Sequence, residues 1–351
     1  MSSRLSRDNF NLTMLNFWIG LCEGKDRSLP KGVAKLGYKV RWVEPSFEIP
    51  VVPSTKNVSA KQSEPNLAKT VNPEIIISSA EHKHAVVFEF KSGKNIEPLQ
   101  LQRYMLLTAS DIAANILYGK PETHDVLYMA LALHRDSILR GMNEANAKFP
   151  VVFVQHSGMV IGSESCANKD FNACLGNGAE VPINWDEVPR YFAIDSHSSP
   201  VDVAHSVLTG VALAITKNLA HIDLEDILRQ VCLWGLVHPK GKTSLRTIVK
   251  KLLERMVKSP HLSDFFELDA SKQILVIKDG AIKLLSNARL QKFIQSLTKE
   301  PLTFQQVLLD VDAHLTNTTG KPAENVLQTN GVLPCQDTNS NVPELPTPEQ
   351  N

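Results

Sequence analysis

The chain has 351 residues, room for about two domains with substantial cores at roughly 150 residues each. Its 37 Lys and Arg balance 37 Asp and Glu, which excludes binding of nucleic acid or anionic membrane through overall charge and leaves only local surfaces for it. Five cysteines (Cys22, Cys166, Cys174, Cys232 and Cys335) lack Cys-x-x-Cys spacing, which indicates neither a zinc site nor a disulfide framework and points to a reducing, cytoplasmic setting.

The first periodic segment, 8–23, carries Phe10, Leu15, Trp18, Ile19 and Leu21 at helical spacing after a capping Asp8 and is expected to pack on a sheet. Asn16 and Gly20 interrupt its apolar run, so neither a signal peptide nor a membrane span is expected. Residues 38–43 read as a strand. Pro50 and Pro53 make the next stretch an edge or a connector, and 54–69 is a polar loop.

Two short strands follow. Glu74 heads the run Ile75-Ile76-Ile77, and 85–91 is crowded with β-branched and aromatic residues before the turn Ser92-Gly93-Lys94. Period-two alternation puts Phe88 and Phe90 on one face and Val87, Glu89 and Lys91 on the other. A carboxylate inside an apolar strand loses solvation and needs a cation to stay ionised. Adjacent strands would also bring Glu74 up to Glu89, the oxygen-rich corner that Mg2+ or Mn2+ prefers. Glu97-Pro98 opens a helix in which Gln100 and Tyr104 share one face, and it is expected to continue to about Tyr118. A strand over 125–133, a helix over 135–148 and a strand over 151–154 complete the order. The Gly- and Asn-rich stretch 163–182 reads as a loop, 190–194 as a last strand and 201–219 as a helix. His197 and His205 read as packed or surface residues.

A carboxylate, a Glu-x-Lys on the next strand and a Gln-hydrophobic-x-x-Tyr on the following helix resemble the PD-(D/E)xK nuclease superfamily, in its RecB-like branch. The resemblance covers about 40–154. It implies a restriction-endonuclease-like mixed sheet flanked by helices, an α/β fold. It further implies that Glu74 and Glu89 hold the metal together with the Phe90 carbonyl, that Lys91 orients or activates the attacking water, and that Gln100 and Tyr104 support the site. The family's first acid is usually aspartate; Glu74 is longer and needs its strand set back. In the family an acid of the first helix sometimes approaches the metal, which here would be Glu23, although a glutamate before Gly24 also reads as an exposed helix end. Glu-x-Lys alone is a weak signal, since Glu81-His82-Lys83 repeats it in what reads as a solvated turn.

Beyond 221 the pattern becomes helix, helix, hairpin, helix. A helix runs from Asp223 to about Leu236. Thr243 or Ser244 caps a second, a hairpin of 265–268 and 273–277 follows, and a helix spans 281–297. From Lys240 to Lys258 there are seven basic residues against Glu254, a local charge of +6. This looks like a smaller winged-helix-like domain whose basic helix, through Arg246, Lys250, Lys251 and Arg255, would contact DNA; a solvated face that binds protein is the competing reading. The domains are therefore expected at 1–220 and 221–300, with a linker or short helix at 301–317 and a disordered tail at 318–351. The expected function is Mg2+- or Mn2+-dependent hydrolysis of DNA phosphodiester bonds, cutting internally or from an end, within a larger DNA-processing or defence assembly. No phosphate-loop signature is present, so an ATPase would be a partner subunit. The alternative is a non-catalytic nucleic-acid- or protein-binding subunit on the same fold.

Overall fold

In the computed structural model, residues 9–26, 28–49, 70–116, 118–162, 164–269, 271–284 and 288–297 are described; the expectations for 50–69, 301–317 and 318–351 lie outside them. Helix α1 (Phe10–Glu23) buries every side chain from Thr13 to Cys22. A helix apolar all round is a core helix, more deeply set than a one-faced helix on a sheet. The Trp18 ring lies 4.3 Å from Phe88, and its indole N–H donates to Met129 Sδ at 2.7 Å.

After α2 (Gly32–Lys35) come β1 (Tyr38–Val43), a small pair formed by β2 (Phe47–Glu48) and β3 (Thr70–Val71), then β4 (Ile75–Ser79) and β5 (His84–Lys91). The helix expected to reach Tyr118 is two helices, α3 (Pro98–Leu106) and α4 (Ala109–Asn115). Leu107 is extended, and Thr108 starts α4 with a capping box: its hydroxyl accepts the Asp111 N–H at 3.2 Å while Asp111 Oδ2 accepts the Thr108 N–H at 2.9 Å. Next are β6 (Thr123–Leu131), α5 (Arg135–Glu144), β7 (Val151–Gln155) and β8 (Gly158–Ile161). The expected loop 163–182 contains α6 (Lys169–Cys174), capped by Asn168 and anchored by the fully buried Phe171, and the short β9 (Val181–Pro182).

The seven strands form one mixed sheet in the order β1-β4-β5-β6-β7-β8-β9, parallel at β5/β6 and β6/β7 and antiparallel elsewhere. Helices cover both faces. Val86, Phe88, Phe90, Leu127 and Met129 face α1, while Ala85, Val87, Val126, Tyr128 and Ala130 face α3, α4 and α5 through Leu101, Tyr104, Ile112, Ile138 and Met142.

Residues 190–194 are not a strand. The side chain of Asn16 on α1 takes over their backbone groups: Oδ1 accepts the N–H of Tyr191 and of Phe192 at 2.7 Å each, and Nδ2 donates to the Phe192 carbonyl at 2.9 Å. A buried amide can replace ladder partners because every buried N–H and C=O must be paired somehow.

The C-terminal lobe holds α7 (Pro200–Thr216), β10 (His221–Asp223), α8 (Leu224–Val231), α9 (Pro239–Lys258), β11 (Phe266–Asp269), β12 (Ile274–Ile277) and α10 (Ala288–Leu297). Its antiparallel sheet has the order β10-β12-β11, and α7 packs on α8, α9 and α10. Helix α8 stops at Val231, short of Leu236, and a 3-10 turn at Trp234–Leu236 follows. Helix α9 begins at Pro239, capped by His238, rather than at Thr243 or Ser244, since proline suits the first helical position. The expected 281–297 helix is a 3-10 turn at Ala281–Leu284 and then α10. One apolar cluster runs from the α1 face of the large sheet through Val207, Leu228, Leu253 and Phe293. Among the described residues no helix is long and apolar enough to cross a membrane.

Candidate active site

Strand β5 carries Glu89 into the α3 face of the sheet, where it is only 2 % exposed. Three donors meet it. Lys91, its neighbour on the same side of the pleat, puts Nζ 2.6 Å from Oε1; Gln100 Nε2 donates to Oε1 at 2.7 Å; and the Tyr104 hydroxyl donates to Oε2 at 2.5 Å. Lys91 Nζ also donates to Gln100 Oε1 at 2.8 Å, closing a ring of three side chains. Gln100 and Tyr104 reach the same carboxylate because residues four apart on α3 share a face, and Pro98 at its first position fixes where that face begins.

Glu74 sits one residue before β4. Its N–H donates to the Phe88 carbonyl at 3.0 Å, and its own Oε2 accepts the Phe90 N–H at 3.0 Å. Glu74, at the head of β4, and Glu89, on the neighbouring β5, thus line the same cleft, with the Glu74 carboxylate at the Phe90 N–H. Crowding by protein atoms and then the charge of Glu89 push the Glu74 carboxyl well above its ordinary range, against the pull of Lys91 and the Phe90 amide. Part of Glu74 still reaches solvent in the cleft. Burial, followed by the charges of Glu89 and Glu74, likewise holds the Tyr104 hydroxyl neutral and a donor. Tyr128, opposite Glu89 in the β5/β6 register and edge-on to Tyr104 at 5.9 Å, has a buried hydroxyl with no hydrogen-bond partner among the described residues.

These groups open into a cleft of about 620 Å3. Glu74, Glu89, Phe90, Lys91 and Gln100 line one side, and residues the sequence did not single out for chemistry line the rest: Asn11, Glu44, Ser46, His197, Lys240 and Ser244. Asn11 Oδ1 is buried without a hydrogen-bond partner among the described residues. Glu44 closes β1 at φ 50°, a left-handed conformation made more costly by the proline after it. Three bonds hold it there. Its N–H donates to the Glu74 carbonyl at 2.8 Å, its Oε1 accepts the Ser196 N–H at 2.6 Å, and next to it the Val43 carbonyl accepts the His238 N–H at 2.9 Å. Burial pushes the Glu44 carboxyl up, and the Ser196 N–H opposes this. No pairwise spacing in sequence announces this wall, because its members converge only in the folded chain.

Other candidates lie elsewhere. Glu23 pairs with Lys25 at 3.2 Å on the surface and is not among the residues lining the cleft, in keeping with an exposed helix end. On α9, Arg246 is half-engaged inside its own lobe: Nε lies 2.5 Å from Glu225 Oε1, and the guanidinium sits 5.2 Å over the Trp234 ring. Lys251 and Arg255 are exposed and Lys250 is partly covered. Among the described residues no group of three or more His, Cys, Asp or Glu has the geometry to hold a metal, so the cleft carboxylates Glu44, Glu74 and Glu89 make no complete protein cage.

A family model described as the MJECL32 domain matches residues 11–156, the segment from α1 to just past β7. Glu74, Glu89, Lys91, Gln100 and Tyr104 all lie within it; His197, Lys240 and Ser244 do not. Neither the curated proteins nor the solved structures contain a match.

Proposed function

We propose that the chain is a Mg2+- or Mn2+-dependent DNA phosphodiesterase built on a restriction-endonuclease-like sheet, with a winged-helix-like C-terminal lobe. The observation that carries this reading is the Glu89 network. A carboxylate 2 % exposed, with a lysine and a glutamine tied to each other and to it, is an expensive arrangement for stability alone. Strongly perturbed groups in a cleft are where function is expected.

The donor set suits a hard dication. Mg2+ binds through one or two carboxylates and keeps several waters, so a two-carboxylate corner open to a cleft fits it without a third acid. Oε1 of Glu89 already meets two donors whereas Oε2 accepts one hydrogen bond, which leaves Oε2 with more free lone-pair capacity. Bound there, the ion would supply polarisation of the phosphate and a bound water of lowered pKa. The protein's own groups do the rest. Glu74, ionised with its proton passed to solvent, and Glu89 would hold the ion; Tyr104 and Gln100 hold the Glu89 carboxylate in one orientation, and Lys91, which lines the cleft, would steady charge developing on the phosphate.

In the C-terminal lobe the order helix, strand, helix, helix, strand, strand, with a basic α9, supports the winged-helix-like reading. Lys250, Lys251 and Arg255, which form no ion pair among the described residues, would be its charges for DNA, and Arg246 is a weaker candidate because Glu225 holds it. A binding subunit without activity is the second reading, favoured by the fact that Lys91 already balances Glu89. Incubating the full chain with linear, circular and single-stranded DNA in Mg2+, Mn2+ or EDTA separates the two. The nuclease reading expects metal-dependent cleavage that Lys91→Met abolishes, and absence of cleavage in every condition refutes it.

A further inference from the structure

We propose that the C-terminal lobe supplies a second phosphate subsite to the cleft, with Lys240 as its charged group and Ser46 and Ser244 beside it, so that a DNA strand at the carboxylate pair is gripped by both lobes. This rests on the nuclease reading and extends it to where the neighbouring nucleotide is held.

Lys240 lines the same cleft as Glu74, Glu89 and Lys91. The two lysines differ in what they are tied to. Lys91 is paired with Glu89, whereas Lys240 Nζ donates to a neutral group, Ser46 Oγ, at 2.9 Å and forms no ion pair among the described residues. The acids nearby are committed: Glu44 to the Ser196 N–H, Glu74 to the Phe90 N–H, and Glu89 to its three donors. An ammonium with no ion-pair partner among the described residues, bonded to the Ser46 hydroxyl in a cleft that Ser244 also lines, is suited to an oxyanion, and a lysine serves a phosphate as a mobile point charge.

Its root is also fixed. The His238 N–H bonds the Val43 carbonyl, Val43 and Val237 form a parallel bridge, and Gly241 lies so close to Glu44 that an added Cβ would stand 2.8 Å from the Glu44 Cβ. The first turn of α9 is thus clamped to the end of β1, which itself hangs on Glu74. A phosphate on Lys240 would be held at a set position relative to the carboxylates, which is what a cutting enzyme needs from the nucleotide beside the scissile bond. The basic residues further along α9 would then extend this track outward.

The test compares wild type, Lys240→Glu, Lys240→Arg and Ser46→Ala, each as the full chain. Binding of a labelled DNA oligonucleotide in Ca2+ is followed by anisotropy across a salt series, and cleavage is followed in Mg2+. Lys240→Glu is expected to lower the log-log salt slope by about 0.9 on duplex or about 0.7 on single-stranded DNA, the loss of one phosphate contact. KM should rise at least about tenfold with kcat little changed, the sign of lost uniform binding. Lys240→Arg should restore most of the slope. If wild type cleaves DNA while Lys240→Glu keeps its slope and KM, Lys240 is a solvated surface lysine and this subsite is wrong although the nuclease reading stands. If Ser46→Ala raises KM as much as Lys240→Glu with neither changing the slope, the pair is a clasp between lobes and the subsite is equally overturned. If wild type neither binds nor cuts DNA, both readings fall together.

Discussion

Replacing Tyr104 by phenylalanine takes away one hydroxyl and leaves the ring in place. The ring is buried in the apolar cluster on the α3 face, edge-on to Tyr128, so packing is conserved and the change isolates the 2.5 Å hydrogen bond to Glu89 Oε2. A hydrogen bond to a charged group contributes about 1.5–3 kcal/mol, and here the acceptor is a carboxylate 2 % exposed that water cannot serve in the hydroxyl's place. Tyr104→Phe should therefore lower stability by about 2 kcal/mol, which at about 2–4 °C per kcal/mol is roughly 4–8 °C in melting temperature. With Oε2 freed of its donor the Glu89 carboxylate can rotate, so Mn2+ affinity by calorimetry should fall about 10–100-fold, the usual cost of losing a partner that orients a ligand. Melting in EDTA and Mn2+ titration read the two effects separately. A variant that melts within about 1 °C of wild type and binds Mn2+ equally well would show that Tyr104 neither stabilises nor orients Glu89.

Tyr128→Phe should have the opposite sign: its buried hydroxyl has no acceptor among the described residues, and since an unsatisfied buried group costs about 1–3 kcal/mol, the melting temperature should hold or rise. A clear drop would reveal a hidden partner. Glu74→Gln should stabilise the metal-free protein in a pH-dependent way. Because the folded value lies above the ordinary 4.5, Glu74 favours folding fully below pH 4.5, and that contribution is lost as pH rises through the folded value, while glutamine does not titrate. In EDTA the variant's melting advantage should grow from pH 4.5 to 8, and a difference that shrinks over that range would reverse the assignment. Gly241→Ala gains about 1 kcal/mol of helix propensity but drives a Cβ to 2.8 Å from the Glu44 Cβ. Overpacking costs typically 1–3 kcal/mol, so the variant should melt lower and cleave more slowly; a more stable, fully active variant would mean that α9 is free to back away.

The half of the site that local rules govern was legible in the sequence. Period two put Glu89 and Lys91 on one face of β5, and a helical turn put Gln100 and Tyr104 on one face of α3; both follow from geometry within a few residues. The other wall was not, because its members are far apart in the chain: Lys240 and Ser46 are 194 residues apart. The same reason hid the fate of 190–194, whose strand-like composition was overruled by Asn16, 175 residues from Tyr191. The break between α3 and α4 was a different failure. Thr108 and Asp111 spell a helix start, but apolar spacing through Ile112 and Ile116 masked it. On α9, charge counting gave the basic face and could not see that Glu225 and Trp234 had already claimed Arg246.

The burial of α1 from Thr13 to Cys22 sets a constraint on how this chain comes off the ribosome. Its Phe17 packs on Trp185 and its Asn16 on Tyr191 and Phe192, so part of its surface is covered by segments made more than a hundred residues after it. At about 5–20 residues per second that delay lasts several seconds or longer, during which the apolar surface that Trp185, Tyr191 and Phe192 cover in the finished fold stays open. A nascent chain in that state is a natural client for holdase chaperones. Residues 11–156, matched as a unit in sequence, lack Trp185, Tyr191 and Phe192, so expressed alone they should expose the α1 surface that these residues cover and aggregate more readily than the full chain.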